Sequence, residues 1–299
     1  MKKIVSCLLG VCILFLSGCA AVKGEEKKNL VAASFYPVYI FTLNITDGVE
    51  DVFVECLAEQ STGCLHDYTL TAKDARLISD CKVLVVNGAG MEGFIGDLHD
   101  INETLRVVDS SEGVELHCSH SHHEEHSGHH HAENSHIWMS VDNAMKQVEN
   151  ITAGLCEAFP EHREAFLTNA QEYMQRLELL KADVSAVKSQ LRGVSIITFH
   201  DAYIYLAEDV GLEIISTLEA DEGGEPSAGE LAHLCNEIRE NNIKALVTEP
   251  EYNGTAAEVL ARETGVKIYV LNPVLKGESS KTAYEDIMYK NLEILKAVK

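Results

Sequence analysis

"EHREAFLTNAQEYMQRLELLKADVSAVKSQLR", residues Glu161–Arg192, carries apolar side chains at Phe166, Ala170, Tyr173, Met174, Leu177, Leu180, Val184, Val187 and Leu191. Steps of three and four residues place all of them on one face of a helix. Pro160 suits the first turn of that helix and Gly193 suits its end. At a rise of 1.5 Å per residue, about thirty residues reach roughly 45 Å. A helix of that length in the middle of a chain reads as a stiff connector, and it limits how far the parts on either side can swing.

Both sides of the connector repeat one pattern. Before it, the apolar, β-branched runs "LVAASFY" (30–36), "DVFVEC" (51–56), "KVLVVNG" (82–88) and "LRVVD" (105–109) alternate with helix-like segments; after it come "VSIITFH" (194–200), "LEIISTL" (212–218), "IKALVTEP" (243–250) and "VKIYVLNP" (266–273). Short, continuously apolar strands separated by helices predict parallel sheets covered on both faces. The expected fold is therefore α/β, with two parallel-sheet lobes. The N-terminal lobe spans 29–159, the connector 160–192 and the C-terminal lobe 193–299. Ser227–Asn241 and Thr255–Thr264 are expected helices of the second lobe.

Lys and Arg total 24 against 47 Asp and Glu, a formal charge of −23. That balance excludes a nucleic-acid binder that works by releasing phosphate counterions, and it favours attraction of cations. At the N-terminus, Lys2 and Lys3 precede an apolar run from Ile4 to Leu16 and then "LSGC" ending at Cys19. This is a positively charged start, a short apolar core and a small-residue cleavage site, too short to span a bilayer permanently. Residues 1–18 read as a signal peptide that resembles a bacterial lipobox, Cys19 as the lipidated anchor and 19–28 as a polar tether, placing the mature chain outside the cytoplasm. Cys56, Cys64, Cys81, Cys118, Cys156 and Cys235 remain, with no CxxC among them, and no pairing follows from their spacing.

Nine of the fourteen histidines fall between Glu115 and Ser140, in "ELHCSHSHHEEHSGHHHAENSHIWMS". His117, His120, His122, His123, His126, His129, His130 and His131 lie among Ser, Gly, Glu and Ala without apolar periodicity, so residues 116–132 read as a mobile surface loop. "HHEEH" (122–126) formally fits the H-x-x-E-H pattern of a zinc hydrolase. That pattern needs a helix to bring both histidines to one ion, and no helical signal surrounds it. His136 at the end of the stretch, His66 in "GCLHDYTLT" and His200 in "ITFHDAYIYLA" are different. His66 and His200 follow predicted strands, where α/β sheets place ligands, and His136 precedes a helix-like segment.

Taken in order, "ASFYPVYIFTLNITDG", "CLHDYTLTAKDARLISDCKVLVVNGAGME", "SHIWMSVDNAMKQVENI", "TFHDAYIYLAEDVGLE", "PSAGELAHL", "VTEPEYN" and "IYVLNP" make the chain similar to the extracytoplasmic solute-binding proteins of zinc and manganese ABC transporters. The resemblance covers essentially the whole mature chain. It implies two α/β lobes joined by one rigid helix, with metal held in the cleft between them by His66, His136 and His200. The fourth position departs from the family pattern: Asn272 stands where an Asp is common. Glu278 or a water completes the expected site, and Glu249 is an alternative ligand.

Three neutral imidazoles favour Zn2+ over manganese, which prefers carboxylates. His200 is followed by Asp201 and His66 by Asp67, carboxylates available to orient the rings from behind where the fold brings them into contact. The resemblance further implies a histidine-rich loop that gathers zinc beside the cleft, an ABC permease and its ATPase as partners, membrane attachment through Cys19, a monomer, and no covalent chemistry. A receptor for manganese or another divalent metal and a surface adhesin on the same scaffold are the alternative readings.

Overall fold

The computed structural model describes residues 29–58, 65, 68–93, 101–118, 133–218, 226–252 and 254–298. The signal segment, Cys19, Cys64, His66, Asp67 and the loop histidines from His120 to His131 lie outside the described residues.

Among the described residues eight strands form two four-stranded sheets. The first half runs β1 (Asn29–Ala33), α1 (Tyr36–Ile45), β2 (Val52–Cys56), α2 (Ala72–Asp80), β3 (Val83–Val86), β4 (Arg106–Asp109) and α3 (Val141–Ala158). The connector α4 (Arg163–Leu191) follows. The second half runs β5 (Val194–Thr198), α5 (Ile204–Val210), β6 (Leu212–Thr217), α6 (Ala228–Glu240), β7 (Ala245–Thr248), α7 (Ala256–Thr264), β8 (Lys267–Val270) and α8 (Ala283–Leu295). Strand order is β2-β1-β3-β4 in one sheet and β6-β5-β7-β8 in the other. Every pairing is parallel. All eight apolar runs of the sequence are thus strands. β1, β3 and β7 are buried along their whole length, as parallel strands covered on both faces must be.

The two sheets share one topology, and in each the order reverses between its first and third strands. Such a switch point opens a crevice at the carboxyl ends of those strands. Ser34 and Asn87 follow β1 and β3 at the first crevice; Phe199, His200 and Glu249 follow β5 and β7 at the second.

The connector begins with a short 3-10 turn at Pro160–His162 and then runs 29 residues as α-helix. It stops where Gly193 takes φ +74, a backbone that only glycine adopts without strain. Phe166, Ala170, Tyr173, Leu177, Leu180, Val184, Val187 and Leu191 are buried, and Met174 packs against them from a partly exposed position. These residues belong to one continuous apolar cluster that also takes in Val31 and Val85 of the first sheet and Ile196 and Val247 of the second. α8 returns across the connector to pack on α4 and α1. The lobes are therefore fused along α4 rather than strung on a linker.

α6 starts with a reciprocal cap: the Ser227 hydroxyl accepts from the Glu230 N–H while the Glu230 carboxylate accepts from the Ser227 N–H. α2 uses the same device with Thr71 and Asp74. On α3, Gly154 faces β4 so closely that a Cβ would lie 2.5 Å from Val108 Cγ2. Cys56, Cys81, Cys118, Cys156 and Cys235 are free thiols. No helix among the described residues is long and apolar enough to cross a membrane.

The first crevice encloses a carboxyl group. Glu92 accepts from Ser34 Oγ at 2.7 Å, the Asn87 N–H at 2.6 Å and the Gly88 N–H at 3.0 Å. Burial is the largest influence and outweighs these donors, pushing the carboxyl up to about 7. A group whose folded pKa is raised contributes stability below its unfolded pKa and loses it as pH rises through the folded value. The window is therefore about pH 4.5 to 7, and the full shift corresponds to roughly 3 kcal/mol. Glu92→Gln is expected to flatten the fall in stability across that window. Urea unfolding measured at steps between those limits checks it; a slope equal to wild type would show that Glu92 is not the group responsible.

Candidate metal centre

His136 belongs to neither sheet. It follows Asn134 and Ser135, both buried, and precedes the 3-10 turn Ile137–Met139 that leads into α3. The segment is held from behind: Asn87 Nδ2 donates to Ser135 O at 2.9 Å, and Gln147 Nε2 donates to Asn87 Oδ1 at 3.0 Å. His136 is thereby carried on the first lobe, fully buried. His200 comes from the second lobe, two residues past the end of β5 and just before the 3-10 turn Asp201–Tyr203.

The two imidazoles meet edge to face, with ring centroids 4.8 Å apart. Asp201 Oδ1 lies 3.3 Å from His136 Nδ1 and 3.6 Å from His200 Nε2, and Glu249 Oε2 lies 3.5 Å from His200 Nδ1. One ligand atom each from His136, His200 and Asp201 fall within 4.8 Å of one another. Zinc bonds of about 2.0–2.2 Å in a tetrahedron separate ligand atoms by roughly 3.4 Å, so small shifts suffice to bring such a group onto one ion. The donors are borderline nitrogen and hard oxygen, with His136 buried and His200 and Asp201 partly exposed, a set suited to a divalent transition metal.

Asn134 ties this group together across the lobes. Its Nδ2 donates to Asp201 Oδ2 at 2.9 Å and to Asp201 O at 3.0 Å, while its Oδ1 accepts from the His136 N–H at 2.9 Å. Larger side chains fasten the same boundary. Trp138 donates its indole N–H to Pro273 O, Tyr284 its hydroxyl to Trp138 O, Tyr205 to Asn134 O and Tyr36 to Glu278 O, all at 2.7–2.8 Å. Trp138 is fully buried, stacked edge-on against Phe35 at 4.9 Å and 5.1 Å from the His136 ring.

The sequence-derived candidates separate here. His136 and His200 come together; His66 lies outside the described residues. Glu278 is exposed and falls outside the group formed by His136, His200 and Asp201. Its carbonyl takes the Tyr36 hydroxyl, whose pKa is pushed up to about 12, chiefly by burial and then by the Glu278 charge. Asn272 Oδ1 accepts from the Val274 N–H at 2.8 Å, and Asn291 bonds both the N–H and the carbonyl of Asn272, so its amide serves a turn. Glu249 stands behind His200. Asn134 carried no sequence signal beyond its place two residues before His136.

His117 differs from the mobile-loop reading. It is held at the root of the loop, Nε2 3.1 Å from Glu208 Oε2 and its ring edge-on to Tyr205 at 4.9 Å. Cys118 pairs with Glu133 in an antiparallel bridge, and the Asn134 N–H donates to His117 O at 2.7 Å. The two limbs of the histidine-rich stretch are closed together at this point, and the returning limb runs directly into His136.

A family model described as "Zinc-uptake complex component A periplasmic" matches residues 31–298, and the chain belongs to that family. It is 34% identical over 309 residues to the zinc-binding lipoprotein AdcA of Streptococcus pneumoniae, covering 99% of this chain and 61% of that protein. It therefore spans about three-fifths of that relative's length. The high-affinity zinc uptake system protein ZnuA of Bacillus subtilis is 32% identical over 314 residues, covering 97% of this chain and 95% of that one. Among solved structures, Zn(II)-bound AdcA from Streptococcus pneumoniae superposes with a TM-score of 0.75 at 30% identity, over 91% of this chain and 57% of that one. FpvC from Pseudomonas aeruginosa in complex with Mn2+ gives 0.78 at 27% identity, over 89% and 96%.

Proposed function

We propose that this protein is the extracytoplasmic zinc receptor of an ABC importer, capturing Zn2+ in the cleft between its lobes and delivering it to a membrane permease driven by an ATPase. The observation that carries the reading is the meeting of His136 and His200, one from each lobe, with the Asp201 carboxylate beside both rings, in a chain that belongs to a zinc-uptake family. His66 is the proposed third imidazole, by its place in the "CLHD" motif. Glu249 and Asp201 orient the rings, and a water or Glu278 takes the remaining position. The cargo is bound and released, with no bond made or broken in it. Attachment through a lipidated Cys19 keeps the receptor beside the permease.

Structures of FpvC hold Mn2+ and Ni2+, so metal choice needs a physical argument. Nitrogen donors rank nickel and zinc well above manganese, and the two rings in this site are its least exchangeable part. Of those metals zinc is the one named for the family.

Titration of tag-free protein, with and without residues 119–132, tests this reading and separates the site from the loop. One tightly held zinc is expected in both forms, with weaker additional ions in the intact chain alone, because histidines strung among Ser, Gly and Glu without periodicity carry no sequence signal of a preorganised site. Excess Mn2+ is expected to leave the tight zinc in place. Loss of the tight ion on removing the loop, or its replacement by Mn2+, would defeat the proposal.

A further inference from the structure

The amide of Asn134 is committed at both ends, and its partners identify the ends. Oδ1 accepts from the His136 N–H at 2.9 Å, and Nδ2 donates to the Asp201 main-chain carbonyl at 3.0 Å and to Asp201 Oδ2 at 2.9 Å. A backbone N–H only donates and a backbone carbonyl only accepts, so the oxygen of this amide must face His136 and the nitrogen must face Asp201. The same Oδ1 lies 3.2 Å from His136 Nδ1, and Asp201 Oδ1 lies 3.3 Å from that nitrogen. Two oxygens that only accept thus face Nδ1. Together they hold the ring proton there, which is the tautomer in which Nε2 is the metal-binding nitrogen.

We infer that Asn134 is a positioning residue for the metal. Its side chain fixes the His136 tautomer and, by gripping Asp201 of the opposite lobe with the same amide, sets the distance between the two ligand-bearing segments. The inference rests on the proposed ligand role of His136. It concerns the side chain alone: the bonds from the Tyr205 hydroxyl to the Asn134 carbonyl and from the Asn134 N–H to His117 O are main-chain bonds that survive substitution.

Two measurements on the full chain test it. Competition against a zinc chelator at one equivalent of zinc reports the tightest site, and long-range 1H–15N spectra report which nitrogen of His136 carries zinc, the His136 signal being assigned by its loss in His136→Ala. Wild type is expected to show zinc on Nε2 and the proton on Nδ1. Asn134→Ala is expected to keep its fold by circular dichroism, to weaken tight zinc by about 10–100-fold, the usual cost of losing an outer partner of a metal ligand, and to show both ring tautomers when zinc-free. Zinc on Nδ1 in wild type overturns the inference, and that measurement needs no variant to fold. So does a folded Asn134→Ala that binds zinc within twofold of wild type. Undiminished binding by His136→Ala would instead remove the ligand assignment on which the inference rests, so the two failures are told apart.

Discussion

Alanine at His136 or His200 is expected to weaken the tight zinc site by on the order of 100-fold or more. Apparent free energies for structural zinc sites run to about 10–16 kcal/mol and are shared by about four ligands, so one ligand is worth roughly 3 kcal/mol. The two residues should behave alike, because each is the contribution of one lobe to a pair whose rings lie 4.8 Å apart. His66→Ala is expected to match them. Competition titration against a strong chelator measures all three, and near-native affinity in any one would take that residue out of the site. Glu249→Gln should cost less, about 10-fold, since that carboxylate stands 3.5 Å from His200 Nδ1 and its proposed part is to orient the ring.

Trp138→Ala should destabilise the whole chain by about 3–5 kcal/mol, the range for truncating a buried aromatic side chain. Trp138 is fully buried, packs on Phe35 and leaves Pro273 O without its indole donor when removed. Pro273 lies in the second half and Trp138 in the first, so the loss falls on the seam between lobes as well as on the core. Trp138→Phe keeps much of the volume and should cost about 1–3 kcal/mol, chiefly for the orphaned carbonyl. Urea unfolding of the three proteins checks both values. A change under about 1 kcal/mol for the alanine variant would mean that the site collapses easily and that the seam does not depend on this residue.

Most of the scaffold was legible in the sequence because local periodicity encodes it. Strands buried on both faces must be apolar throughout, and a helix resting on a core must repeat every three or four residues. The runs at 30–36 and 243–250 and the connector face from Phe166 to Leu191 obey those rules directly. The meeting of the lobes has no period. Tyr36 to Glu278 and Trp138 to Pro273 join positions more than a hundred residues apart through single hydrogen bonds to backbone carbonyls, and nothing in the neighbourhood of either partner announces the other.

The site divides the same way. His200 is marked by its place at a strand end, whereas His136 is marked only by resemblance, being fixed by Asn134 and by Asn87 behind Ser135. Asp201 was legible as the neighbour of His200; its contact with His136 depends on the packing of two lobes. His117 was grouped with the loop by composition, yet Tyr205 and Glu208 of the other lobe hold it.

The closed root at Cys118 and Glu133 makes residues 119–132 a replaceable cassette. Its two attachment points are already hydrogen-bonded neighbours, so the distance a substitute must span is set by the bridge and not by its own length. Doubling the length of a flexible insert there costs only about 0.6 kcal/mol in closure entropy. A substitute for that segment therefore begins and ends at one closed pair of residues, and a reporter sequence grafted between them would enter and leave the fold at a single point.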